Sequence, residues 1–355
     1  MTKEKSGTHR VADLECASRR RVLAGIAGLA GVGLTASMPK LVRAQTAKFR
    51  YKLGISLPDA SPIVIGMRAA AADVLRDSGG KLDIQVFPNG QLGGDASMVT
   101  QLRQGSIELV STGLVGTWGN FVPAAGLPSV PFAFTTNDAL WKALDGDLTA
   151  YIGSSFSAIN LVGLGTPWEI GFRHITTNSK PIVTPQDLNG LKIRVPQSPI
   201  LISTFTKLGA SPTPISFQEV YSALQTKLVN AQENPLTLVE SAKLYEVQKF
   251  CSLTSHSWEA HYIGANKRAW EALPPELRQL VTTTFHTHAL KARSAVASEN
   301  SNLVETLKKQ GMGFNNVDPA PFRQTLQKAG FYSELQSRLG AEGWARLEKY
   351  SGKLS

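Results

Sequence analysis

The sequence predicts an α/β protein of two lobes, with a ligand cleft between them and one long helix bracing both. Strand-like alternation and helix-like apolar spacing follow one another through two separate blocks of the chain, the pattern of a largely parallel sheet covered by helices. No low-complexity linker divides the blocks, so the chain crosses between the lobes more than once. A helical stretch from Pro275 to about Gln310 follows the second block. At 1.5 Å per residue such a helix is about 50 Å long, more than one small lobe can use.

In the first block, Phe49 to Ser56 alternates as a strand, Pro62 to Asp77 carries helical spacing, and Leu82 to Phe87 alternates again before the turn Pro88-Asn89-Gly90. A helix around Met98 to Leu102 and a strand over Ile107 to Val110 follow. The second block offers strands at Leu161 to Gly165, Lys192 to Val195 and Val229 to Ala231, with helices around Ile200 to Leu208, Phe217 to Thr226 and Leu236 to Tyr245. Trp258 to Ala265 reads as a further strand. In the long helix, Pro275 suits the first turn and Gly311 the stop. The expected lobes are 45–171 plus 260–299 and 172–259 plus 300–355.

Residues 1–44 read as an export leader. Ser18-Arg19-Arg20-Arg21-Val22-Leu23 opens a glycine-diluted apolar run that ends near Met38, and Val42-Arg43-Ala44 fits a small-residue cleavage site. The twin arginines and the weakly apolar run resemble a twin-arginine (Tat) signal. Val22 to Met38 is 17 residues with four glycines, short of the roughly 20 strongly apolar residues of a spanning helix. The expected product is a periplasmic protein, cleaved near Ala44.

Of the 37 Lys and Arg and 27 Asp and Glu, eight and three fall in residues 1–44. The remaining basic excess is modest and scattered, which argues against nucleic acid and is compatible with anionic ligands. Cys251 is the one cysteine beyond the leader, so no intramolecular disulfide is expected there. The chain contains no G-x-S-x-G elbow, phosphate-binding loop or H-E-x-x-H pair. His256, Glu259 and His261 match no common zinc spacing, and on a strand His256 faces away from the other two. No catalytic residue, metal or cofactor is expected.

The most informative runs are Gly171-Phe172-Arg173-His174-Ile175-Thr176, Asp187-Leu188-Asn189-Gly190-Leu191-Lys192-Ile193-Arg194-Val195-Pro196, Pro214-Ile215-Ser216-Phe217-Gln218-Glu219-Val220-Tyr221 and Ala231-Gln232-Glu233-Asn234-Pro235. With the earlier Phe87-Pro88-Asn89-Gly90-Gln91-Leu92-Gly93-Gly94, they resemble, in order, the DctP-like substrate-binding subunits of TRAP (tripartite ATP-independent periplasmic) transporters. That resemblance implies a periplasmic-binding-protein-like architecture that closes on a small organic carboxylate and passes it, as a monomer, to TRAP membrane permease subunits.

Arg194 precedes Val195-Pro196 at a strand end, where crevice residues sit, and its planar guanidinium suits a carboxylate. The resemblance implies that it holds the ligand, with Arg173 in support. Asn234 either caps the helix begun by Pro235 or faces the crevice; the family pattern places it on the ligand. Phe217 is either an aromatic near the ligand or core. Trp118 and Asn120, in a glycine-rich loop after a strand, are candidate pocket walls, and Trp258 lies near a lobe crossing. The alternatives are a receptor of an ATP-driven importer, which should lack this ordered set of motifs, and an exported α/β enzyme.

Overall fold

Phe49–Ile55 (β1) and Leu82–Phe87 (β2) pair in parallel across the helix Pro62–Asp77 (α1). Ile63, Val64, Met67, Ala70, Ala71 and Val74 form the buried stripe of α1 and cover Leu53 and Ile55 of the sheet. The helix Asp95–Gln104 (α2) ends at Gly105, which takes the left-handed conformation, with a φ of +79°, that favours glycine. The chain then returns as Leu109–Gly113 (β3), parallel to β1. The computed structural model describes residues 47–354, with the backbone alone over 297–301. The leader expected over 1–44, with its cleavage site, lies outside the described residues.

The remaining strands are Leu161–Thr177 (β4), Lys192–Val195 (β5), Ser211–Pro214 (β6), Ala231–Pro235 (β7), Phe250–Asn266 (β8) and Gly313–Asn316 (β9). They complete one sheet in the order β2-β1-β3-β8-β4-β7-β5-β6, with β9 on β8. Two parallel groups, β2-β1-β3 and β7-β5-β6, are joined by the antiparallel pair β4 and β8. One half of β8 pairs with β3, and the second half of β4 pairs with β7. The two long strands therefore run through both halves of the molecule.

The sequence reading ends the first of these strands at Gly165. The chain instead continues to Thr177, with register shifts between Leu164 and Trp168 and between Glu169 and Gly171. Gly165 and Gly171 sit at those shifts with φ of +65° and +119°, so each apparent break in the pattern is a bulge that bends a continuing strand. β7 extends past Ala231 for a different reason. Its Gln232, Glu233 and Asn234 are buried polar residues held by internal hydrogen bonds, and no apolar alternation announces them.

The long helix is Pro275–Lys309. Leu277, Val281, Phe285, Ala289 and Ala292 pack into the cluster built on α1, whereas Leu307 belongs to a separate cluster with Val220, Val239 and Cys251. One helix thus braces both halves. The helices Ala320–Lys328, Phe331–Leu339 and Ala341–Ser351 fold back, and their Phe322, Phe331, Leu335 and Trp344 join the largest core cluster, which also holds Trp118, Trp258 and Phe205.

Candidate ligand-binding site

The C-terminal ends of both parallel groups converge on one cavity of about 50 Å³. From the first group come Ser56 after β1, Asp95 at the start of α2, and Gly113 and Gly116 around the end of β3; from the second come Arg194, Phe217 and Asn234. Arg173 and Ile170 of β4 and Glu259 and His261 of β8 complete the lining. This is the crevice position expected for a ligand in an open α/β sheet. Wider surface grooves exist, one of about 900 Å³ beside Phe49, Arg103 and Lys267, but its charged side chains Arg103 and Lys267 are exposed to water. The small cavity holds the buried charges.

Arg194 is 2% exposed. Its Nε donates to the carbonyl of Ile215 at 2.9 Å, and no acidic side chain among the described residues forms an ion pair with it. Burial pulls its pKa down to about 9, against the attraction of Glu233 and Asp95. A guanidinium buried beside a cavity with its terminal nitrogens unengaged by protein carboxylate is a site for an anion, and a carboxylate fits its paired donors.

Arg173 is differently placed. Its Nη2 donates to Glu233 Oε1 at 2.8 Å, to the Glu233 carbonyl at 2.7 Å and to Asn234 Oδ1 at 3.2 Å; its Nη1 reaches Glu259 Oε2 at 3.1 Å, and its Nε also bonds Glu233. Burial disfavours the cation, but Glu233 and Glu259 outweigh that and hold the pKa above the usual arginine value. On Glu233, burial works upward, yet Arg173 and then His256, whose Nε2 lies 3.1 Å from Glu233 Oε2, keep the carboxyl at about 2. Glu259 is pushed up to about 7 by burial, against Arg173. Burial likewise keeps His261 neutral, with a pKa of about 3. Arg173 ties β4, β7 and β8 together under the cavity, with most of its donors already used.

Of the residues singled out from sequence, Arg194, Arg173, Asn234 and Phe217 line the cavity. Asn234 lies within β7 and caps no helix: its Oδ1 accepts from Arg173 and its Nδ2 donates to Gln232 Oε1. Phe217 is half-buried and packs against two of the core clusters. Trp118, Trp258 and Asn120 are not in the lining. Trp118 is fully buried, edge-on to Phe156 at 4.7 Å, with its indole N–H on the Tyr262 carbonyl at 2.8 Å. Trp258 stacks edge-on with Trp141 at 5.6 Å, and both indoles donate to the buried carboxylate of Glu169. Both tryptophans are core because their large rings fill the space behind the strands. Asn120 is exposed and donates to the Gln197 carbonyl at 2.6 Å, linking the segment after β3 to the segment after β5.

Three titratable lining residues stand outside the ligand contacts expected from the sequence: Glu259, His261 and Asp95. Glu259 and His261 share a face of β8, as strand alternation requires, while His256 turns to Glu233. That alternation was the available signal. Asp95 gave none beyond its place after Gly93-Gly94 at a helix start. The glycines matter by their lack of bulk: a Cβ on Gly113 would lie 3.1 Å from Glu259 Oε2, and one on Gly116 would touch Pro196 across the cleft at 3.6 Å.

Comparison with known proteins gives a consistent picture. A family model described as bacterial extracellular solute-binding protein, family 7 (DctP), matches residues 53–334. The 2,3-diketo-L-gulonate-binding periplasmic protein of Escherichia coli is 33% identical over 296 residues, covering 83% of this chain and 88% of that one. A TRAP periplasmic solute-binding protein from a Polaromonas species, solved bound to D-erythronate, superposes with a TM-score of 0.80 at 29% identity, covering 86% of this chain and 100% of that one. Its counterpart from Sulfurospirillum deleyianum, with bound succinate, gives the same TM-score at 26% identity and the same coverage.

Proposed function

The chain belongs to family 7 of the bacterial extracellular solute-binding proteins, and on that premise we propose that it captures a small organic carboxylate in the periplasm and delivers it to the membrane subunits of a TRAP transporter. The family is one of binding proteins for transport, which favours this reading over an enzyme. Relatives that bind gulonate-derived, erythronate and succinate ligands support a carboxylate as the cargo.

The observation that carries the reading is Arg194, a buried cation at the cavity whose guanidinium has a backbone carbonyl, and no protein carboxylate, as its partner. A ligand carboxylate supplies the missing charge. Residues 45–171 with 260–299 form one lobe and 172–259 with 300–355 the other, and they close about β4 and β8. The leader over 1–44 directs Tat export and is removed near Ala44, and the mature protein acts as a monomer.

The test is Arg194→Ala, measured by calorimetry with whichever acid of a carboxylate panel most raises the melting temperature of the parent. Truncating one side of a buried, hydrogen-bonded charge pair costs about 2 to 5 kcal/mol. At 1.4 kcal/mol per decade, Kd should rise roughly 30-fold to several-thousand-fold, while the melting temperature without ligand reports on folding alone. Arg194→Lys should also bind poorly, since an ammonium lacks the paired donors. Binding by Arg194→Ala within threefold of the parent would refute the assignment.

A further inference from the structure

The cavity that holds Arg194 is also lined by Asp95, a buried carboxyl with one oxygen left over. Asp95 Oδ1 is buried and has no hydrogen-bond partner among the described residues. The residue opens α2, where the helix N-terminus favours a negative charge. Burial raises its pKa, while the hydroxyls of Ser56 and Thr112 and the charge of Arg194 pull it back. The lining contains two arginines and two carboxylates, but Arg173 is engaged by Glu233 and Glu259. Arg194, with no carboxylate partner among the described residues, and the Oδ1 of Asp95 remain for a ligand.

We propose that the site selects a compact monocarboxylate bearing a hydroxyl, with Arg194 taking the carboxylate and Asp95 accepting from the hydroxyl, and that it discriminates against dicarboxylates. This rests on the carboxylate reading given above. Arg194 and Asp95 line the same cavity and lie close enough to interact electrostatically, so a ligand gripped by Arg194 has its remainder beside Asp95. A second ligand carboxylate beside Asp95 could be held only by taking up a proton between the two, since Arg173 is already engaged by Glu233 and Glu259. A hydroxyl instead satisfies Oδ1, and a site built to bond a hydroxyl rejects an analogue that lacks it.

The experiment is calorimetry with D- and L-erythronate, succinate and butyrate, four-carbon acids that differ in what they offer beyond one carboxylate. The preferred erythronate isomer should bind at least tenfold more tightly than succinate or butyrate. Asp95→Asn removes the charge and adds N–H donors, so the ratio of succinate Kd to erythronate Kd should fall at least tenfold, with melting temperatures in the absence of ligand confirming the fold. Succinate binding as tightly as erythronate to the parent overturns the proposal and leaves the carboxylate reading standing. A ratio unchanged in Asp95→Asn overturns the role of Asp95. If no acid of three to six carbons binds the parent, this inference fails, and if no larger carboxylate binds either, the carboxylate reading fails with it.

Discussion

Two buried glutamates bonded to the same arginine titrate in opposite directions, and the difference is measurable. Glu259 sits at about 7, above its usual 4.5, because burial outweighs its single bond to Arg173. Between those pH values the folded chain keeps a proton that the unfolded chain has lost, so the contribution of Glu259 to stability declines as pH rises from 4.5 to 7. Glu233, held at about 2, does the reverse: its contribution is present above 4.5 and is lost as pH falls toward 2. Asp95 and Glu169, also raised by burial, add to that decline, so the Glu259→Gln protein should show a shallower fall in melting temperature across pH 4.5 to 7 and retain the acid limb. Melting profiles of parent and variant that run parallel across that window would contradict the account of Glu259. Sequence alternation put Glu259 and His261 on one face of their strand, but the pKa of Glu259 depends on burial, which only the packing supplies.

At the scale of elements, β4 and β8 decide where the tryptophans go. Gly264 in β8 has no side chain because Trp118 lies against it: a Cβ there would fall 2.6 Å from the indole ring. Trp118 is thus a spacer between the segment after β3 and the sheet. Trp118→Ala should destabilise the protein by about 3 to 5 kcal/mol, the usual cost of emptying a large aromatic site, while ligand affinity of the folded fraction stays within about twofold. Denaturant unfolding together with calorimetry separates the two. A loss of affinity without loss of stability would return Trp118 to the ligand site. A loop after a strand is a reason to suspect a pocket wall, but the contacts of this ring with Phe156, Gly264 and the Tyr262 carbonyl place it in the core, outside the cavity lining.

At the scale of the whole molecule, the long strands and the helix Pro275–Lys309 join the halves, while the edges of the cleft meet at Asn120 on Gln197, Gly116 beside Pro196 and Gly90 beside Gln218. Bulges at Gly165 and Gly171 make the crossing region of β4 the natural place to bend. The unliganded protein should therefore have a larger radius of gyration than the complex, measured by small-angle scattering with and without a binding acid. An unchanged radius at saturating ligand would exclude a closing cleft.

The sequence by itself determined the class, the alternation of strands and helices, the long brace and the strand-end place of Arg194, because periodicity, a strand-end position and an ordered set of motifs are local properties of the chain. Only the tertiary structure decided that Arg173 is consumed by Glu233 and Glu259 while Arg194 is not, that Trp118 and Trp258 face the core, and that Asp95 enters the cavity. Those outcomes depend on which residues far apart in the chain become neighbours. Asp95 and Arg194 are brought to one cavity by the docking of two separate parallel groups, and nothing in the spacing between them encodes that proximity.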